Sequence, residues 1–253
     1  MSVDLSKVGV VIMSAGKGTR LNCTNKPKVM LEIGGKPIVS YAVLTLQSLG
    51  FKKEQICLVV GFKKEQIEDY FKDTVSYANQ AEQLGTAHAA YIGMKSLPPA
   101  IEQVLVMGGD DGAFYTAKTL ENLIVEHLKN YSTVTLLSAK VDDPASFGRV
   151  IRDEEGIKVV EKEYLTPEQK NINEVSTGTY IFNRNWYQNA FPRMPKLRKL
   201  GEYGLNVSLV MAQEENKKVA VVELPNNNEW QGINTLAELE LANKLKQQIK
   251  TTK

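Results

Sequence analysis

Short apolar runs alternate with amphipathic stretches through the first half of this 253-residue chain, and that rhythm limits the folds open to it. Residues 8–13 (VGVVIM), 56–60 (ICLVV), 75–78, 104–107 (VLVM) and 132–139 read as strands. Between them, residues 37–50, 65–72, 85–96 and 116–130 read as helices. Pro37 opens the first of these and Gly50 closes it, with Ile38, Tyr41, Ala42, Leu44 and Thr45 near helical spacing. A β-α-β-α order of this kind predicts an α/β fold: a Rossmann-like mixed, mostly parallel sheet flanked by helices.

The second half is less regular. Residues 148–152 and 157–161 predict a hairpin around Glu154-Glu155-Gly156. Strands are expected at 177–182 and 219–223, and helices at 202–214 and from 234 to the end. The hexapeptide FKKEQI occurs at both 51–56 and 62–67, leading once into CLVV and once into EDYF. No longer period accompanies it, so it is a coincidence and not a repeat architecture.

Composition excludes more than it proposes. Thirty-one basic against 29 acidic residues leave a net charge of +2. Nucleic acid and membrane surface are therefore not expected partners, and any bound anion must be held by local cations. Two cysteines and two histidines are too few for a disulfide framework or a zinc site. The apolar run at 8–13 is too short for a signal peptide, and no run approaches a membrane span, so the cytoplasm is the expected location.

The first strand runs into SAGKGTRLNCTNKPKVM, a loop with Gly16 and Gly18 followed by Arg20, Lys26 and Lys28. It is not a Walker loop, because Gly18 stands where Ser or Thr must follow Gly-Lys. It is not the dinucleotide fingerprint either, because Leu21 stands where the third glycine belongs. What remains is a loop whose bare backbone can turn N–H groups toward a ligand, with a guanidinium suited to phosphate oxygens nearby. On this chemistry alone the segment is either a phosphate cradle or a plain strand–helix turn with surface lysines.

SAGKGTRL followed by KPKVM and GGKPI resembles the opening signature of the sugar-1-phosphate nucleotidylyltransferases. QAEQLGTAHAA at 80–90 is similar to the base-reading segment of the N-acetylglucosamine-1-phosphate uridyltransferases in that family. The resemblance continues in order through residues 146–183, through GEYGLNVSLVMA, and to WQGIN at 230–234. It implies a reaction of UTP with N-acetylglucosamine 1-phosphate to give UDP-N-acetylglucosamine and pyrophosphate. It also implies one nucleotidyltransferase domain over 1–253, with residues 1–115 serving mainly the nucleotide and 116–253 mainly the sugar. The hexapeptide-repeat acetyltransferase carried by bifunctional relatives is not expected in this stretch.

Carried over residue by residue, the resemblance implies that Ala15, Gly16 and Gly18 shape the nucleotide loop, while Arg20 and Lys28 are catalytic and face the phosphates. Gln80, Gln83, Gly85 and Thr86 would read the uracil. Gly85 would leave room for backbone contact to the base. Gln80 without the resemblance would be an exposed helix-entry residue. Gly148, Glu161, Ser176 and Thr177 would meet the sugar. Asp110 and Asn234 would hold the Mg²⁺ cofactor, a hard cation that suits oxygen donors.

Two departures fall in the sugar pocket. Gly108 stands where the family has tyrosine before Gly-Asp, followed by Asp111-Gly112-Ala113-Phe114, and Ser176 stands where it has asparagine. Phe114 or Tyr115 is the candidate to fill the first vacancy, and Asp111 is either a further ligand of the metal site or, the favoured alternative, a supporting or surface carboxylate. The alternatives are a uridylyl- or thymidylyltransferase acting on another sugar 1-phosphate such as glucose 1-phosphate, and a non-catalytic nucleotide-sensing module. Oligomeric state is not legible.

Overall fold

The computed structural model describes residues 4–18, 21, 23–144 and 147–251, the side chains of 249–251 excepted. The strands are β1 (Val8–Met13), β2 (Glu32–Ile33), β3 (Lys36–Pro37), β4 (Ile56–Val60), β5 (Ser76–Asn79), β6 (Gln103–Gly108), β7 (Val134–Lys140), β8 (Arg149–Asp153), β9 (Gly156–Val160), β10 (Glu174–Asn183) and β11 (Val219–Glu223). The helices are α1 (Ile38–Ser48), α2 (Lys64–Phe71), α3 (Thr86–Ser96), α4 (Ala117–Lys129), α5 (Arg184–Ala190), α6 (Val207–Glu214) and α7 (Leu236–Thr251).

Among the described residues the main sheet runs β11-β7-β10-β6-β1-β4-β5, with the β8–β9 hairpin attached to β10. β1 pairs in parallel with both β4 and β6, and β4 with β5. β10 alone runs against this path, antiparallel to β6 and to β7, while β11 lies parallel to β7. The sheet is therefore mixed and mostly parallel, as expected from the sequence.

Strand composition explains the layering. β1, β4 and β6 are nearly all apolar because both faces are covered. Val10 and Ile12 join α1, α2 and α4 in one core, through Val39, Leu46, Ile67, Leu120 and Leu123. Val11, Val59, Val104 and Val106 face the other way, onto Ala87, Ala90 and Met94 of α3, Tyr187 of α5 and Leu209 of α6. Leu21, Ile33, Ile38, Phe114, Ile233 and Ala242 form a small third core beneath α7.

The differences from expectation have local causes. Residues 202–206 are not helical; they form a loop clipped onto the start of α3 by Tyr203 N–H to Leu84 O (2.8 Å) and Ala87 N–H to Tyr203 O (2.9 Å). The last helix begins at Leu236, because the Glu238 carboxylate caps the N–H groups of Asn234 (2.6 Å) and Thr235 (2.8 Å). β10 starts earlier than predicted and changes register between Ser176 and Tyr180, around Gly178. α5 and the β2–β3 pair are too short to announce themselves in the sequence.

Candidate active site

The chain leaves β1 for β4 and β5 on one side, then returns through α3 to lay β6 on the other side of β1. The carboxyl ends of β1 and β6 thus form a topological switch point, where α/β sheets bind ligands. A cavity of about 880 Å³ opens there. A smaller hollow, about 500 Å³, lies beside Pro99 and Arg184. The Arg184 guanidinium is occupied by the carbonyls of Met94, Leu97, Pro98 and Ile101, which leaves the large cavity as the candidate.

One wall is the glycine loop. Ala15 is buried and its carbonyl accepts from Phe62 N–H (3.2 Å), while Gly16 is open to solvent. Gly18 has φ +63°, and a Cβ there would stand 2.7 Å from Lys28 Cβ, so its bareness lets the loop close onto Lys28. Arg20 lies outside the described residues. Lys28 opens a 3₁₀ turn behind Pro27 and points into the cavity.

The second wall is the β5–α3 junction. Gln80 is 3% exposed, so the exposed alternative for this residue is overturned. Its amide N–H groups reach Gly85 O (3.2 Å) and His88 Nδ1 (3.1 Å). Gln83 is exposed and donates to Gln80 O (3.2 Å). Gly85 has φ +113°, and a Cβ would lie 2.5 Å from Tyr203 O and 2.7 Å from Tyr203 N. Its room is thus taken by the 202–206 loop. The Thr86 hydroxyl accepts from Leu205 N–H (3.1 Å) and ties down the same loop.

The third wall joins β6, β9 and β10. Gly148 packs with its Cα toward Glu161, whose Oε2 would be 3.2 Å from a Cβ there. Burial raises the Glu161 pKa, with Glu163 adding repulsion. Ser176 Oγ lies 3.3 Å from Tyr180 Oη and accepts from Gly178 N–H (3.2 Å). Thr177 donates to Leu137 O (2.7 Å) and holds the bulge in place. Asn206 escaped the sequence reading. It lines this wall with its side-chain oxygen buried and unpartnered, a signal that only the packed structure carries.

At the centre, Lys28 Nζ pairs with Asp110 Oδ2 and donates to Asn234 Oδ1 at 3.0 Å, across 206 residues of sequence. The two residues expected to hold a cation therefore converge on one ammonium. Asp111 shares this centre: burial raises its pKa well above the carboxylate norm, Asp110 repels it further, and Lys28 pulls back. The Trp230 indole N–H faces the same carboxyl without a hydrogen bond of normal geometry. No cluster of three His, Cys, Asp or Glu residues suited to a metal occurs among the described residues. The donor set of Asp110 and Asn234 is all oxygen, and fits a hard cation that keeps waters and takes further ligands from phosphate.

A sequence profile of the nucleotidyl transferase family matches residues 9–248. The chain belongs to the nucleotidyl transferase family. It is 32% identical over 237 residues to the bifunctional protein GlmU of Thermoanaerobacter pseudethanolicus, covering 93% of this chain and 50% of that one. It is 36% identical over 234 residues to the bifunctional protein GlmU of Exiguobacterium sp., covering 92% and 51%. The chain spans about half the length of the curated relatives it matches. Its fold is also similar to a crystal structure from Bacillus anthracis assigned as a glucose-1-phosphate thymidylyltransferase, with a TM-score of 0.77, 20% identity and 95% of each chain covered. No helix among the described residues is long and apolar enough to cross a membrane.

Proposed function

We propose that this chain transfers the uridylyl group of UTP to N-acetylglucosamine 1-phosphate, releasing pyrophosphate, with Mg²⁺ as cofactor. The observation that carries the reading is the convergence of Lys28, Asp110 and Asn234 between a glycine loop on one side and a carboxylate-lined pocket on the other. In this reading residues 1–115 mainly hold the nucleotide and 116–253 mainly the acceptor. UTP is a cytoplasmic metabolite, so the reaction belongs there.

A phosphate oxygen of the acceptor attacks the α-phosphorus of UTP. The new O–P bond forms as the bond to the pyrophosphate oxygen breaks, and no covalent enzyme intermediate is needed. Both reactants are anions, so the barrier is repulsion and transition-state charge. Lys28 supplies positive charge at the meeting point, and Arg20 adds a second cation on the strength of the resemblance. Asp110 and Asn234 would hold the magnesium ion, which when bound neutralises phosphate oxygens. Gln80 has its N–H groups held by Gly85 O and His88 Nδ1, which leaves its amide oxygen to accept from uracil. Ala15, Gly16 and Gly18 turn backbone toward the phosphates; Gln83, Gly85 and Thr86 shape the base side. Glu161 accepts sugar hydroxyls beside Gly148, Ser176 and Thr177.

Gly108 and Ser176 favour a second reading, the same transfer onto another sugar 1-phosphate such as glucose 1-phosphate. Pyrophosphate release from UTP or dTTP across a panel of sugar phosphates, with and without Mg²⁺, tests both. Fastest release with UTP and N-acetylglucosamine 1-phosphate is the expected result. A melting temperature raised by UTP with no release from any acceptor would leave a nucleotide-sensing module in its place.

A further inference from the structure

The position expected to be blocked by an aromatic side chain is instead held open for a carboxylate. Asp110 Oδ1 and Asp111 Cγ each lie 3.1 Å from the point where a Cβ on Gly108 would stand, and Asp111 Oδ2 is closer still. Neither aromatic candidate fills the space: Phe114 sits in the small core under α7, and the Tyr115 hydroxyl bonds Thr179 Oγ1 at 3.0 Å. The same Asp111 oxygen lies 3.2 Å from the point where Gly178 would carry a Cβ. Two bare glycines, one on β6 and one in the β10 bulge, make the niche.

Carboxyl groups outnumber cations in that niche. Lys28 bonds Asp110 through Oδ2, which leaves Oδ1 on the side of Gly108 that Asp111 shares. One ammonium, paired to Asp110, thus stands near two carboxyl groups in a partly enclosed space. Two further polar groups line the same cavity. Ser14 is 1% exposed and lines the cavity; its hydroxyl lies 2.8 Å from the point a Cβ on Gly109 would take, and it has no hydrogen-bond partner. Trp230 is 5% exposed, and its indole N–H faces the Asp111 carboxyl. A buried hydroxyl left unsatisfied is costly unless something binds to it.

The geometry points to Asp111 as an added oxygen ligand of the divalent cation, joining Asp110 and Asn234, with Ser14 bonding a water of that ion. A divalent cation would hold the two adjacent carboxyl groups at once, and magnesium-class ions accept one or two carboxylates alongside phosphate oxygens. The departure at Gly108 then serves the cation, not the sugar. The inference rests on the transferase reading of this cavity.

The experiment is titration of Mn²⁺ into the nucleotide-free protein, monitored by the paramagnetic signal of the free ion. Asp111→Asn is expected to weaken Mn²⁺ binding about tenfold or more. Relief of carboxylate crowding is expected to raise its melting temperature without cation and to shrink the rise that Mn²⁺ produces. Gly108→Ala keeps Asp111 but takes its space, and is expected to weaken Mn²⁺ as well, which gives the same reading should Asp111→Asn fail to fold. Unchanged Mn²⁺ affinity in whichever variant folds overturns the inference, with or without a raised KM for the sugar phosphate. Because binding is read without acceptor or turnover, Asp111-dependent Mn²⁺ binding in a chain that releases no pyrophosphate would sink the activity reading alone.

Discussion

Lys28 stands between Asp110 and Asn234, so a single side chain both spaces the cation ligands and offers charge to the reacting phosphates. Lys28→Met removes that charge at nearly constant volume. It is expected to lower kcat by about 10²–10³-fold, the scale seen when a preorganised group facing developing charge is lost. A loss confined to KM, measured by pyrophosphate release, would move Lys28 out of the transition state and into ground-state binding. Lys28, Asp110 and Asn234 can be picked out in the sequence because each sits in a short motif that resembles the family's. The posture of Asp111 is not. It depends on Gly108 and Gly178, from different strands, both lacking a side chain at one point in space.

At the scale of elements, the twin hexapeptides show how much context decides. In the first copy, Lys53–Gln55 form one 3₁₀ turn and Ile56 enters β4, pinned by Gln55 Nε2 to Leu5 O (2.7 Å) and Val8 O (2.8 Å). In the second, Lys64–Phe71 form α2, which buries Ile67 and Phe71 against the sheet. The neighbouring run on the C-terminal side of each copy, apolar in one and amphipathic in the other, settles its fate. The 202–206 loop looks helical in the sequence for a related reason: its partner is the distant start of α3, not its own next turn. That junction is where Gly85→Ala should be felt. A side chain is strained at φ +113°, at a cost of about 1–3 kcal/mol, and its Cβ would strike Tyr203 backbone. The variant is expected to melt lower and to lose much of the melting-temperature rise that UTP produces, because Gln80 bonds the Gly85 carbonyl. An intact UTP response would detach the junction from base recognition.

Across the whole molecule, strand content is readable from the sequence and strand order is not. Apolar runs identify buried strands, but the reversal that lays β6 beside β1 is a matter of where α3 packs, and the site arises from that reversal. The same burial gives the fold a pH signature. His127 is buried between Thr135 Oγ1 (2.7 Å) and Gln103 Oε1 (3.0 Å), and burial pushes its pKa down to about 4. Its folded pKa lies below the ordinary value of 6.5, so the unfolded chain takes up the proton first as the medium acidifies. The stability it contributes is complete above pH 6.5 and is lost as pH falls toward 4, by about 3 kcal/mol in all. Urea unfolding from pH 7 to 4 is expected to show this slope, and His127→Gln to flatten it.

The chain has two tryptophans, and the fold sends them to different places. Trp230 lies against Phe147 at the cavity, while Trp186 donates to the Glu215 carboxylate on the α5–α6 side. With Trp186→Phe, the remaining indole becomes a built-in optical gauge. Its emission should track what enters the cleft, in unlabelled protein and in real time.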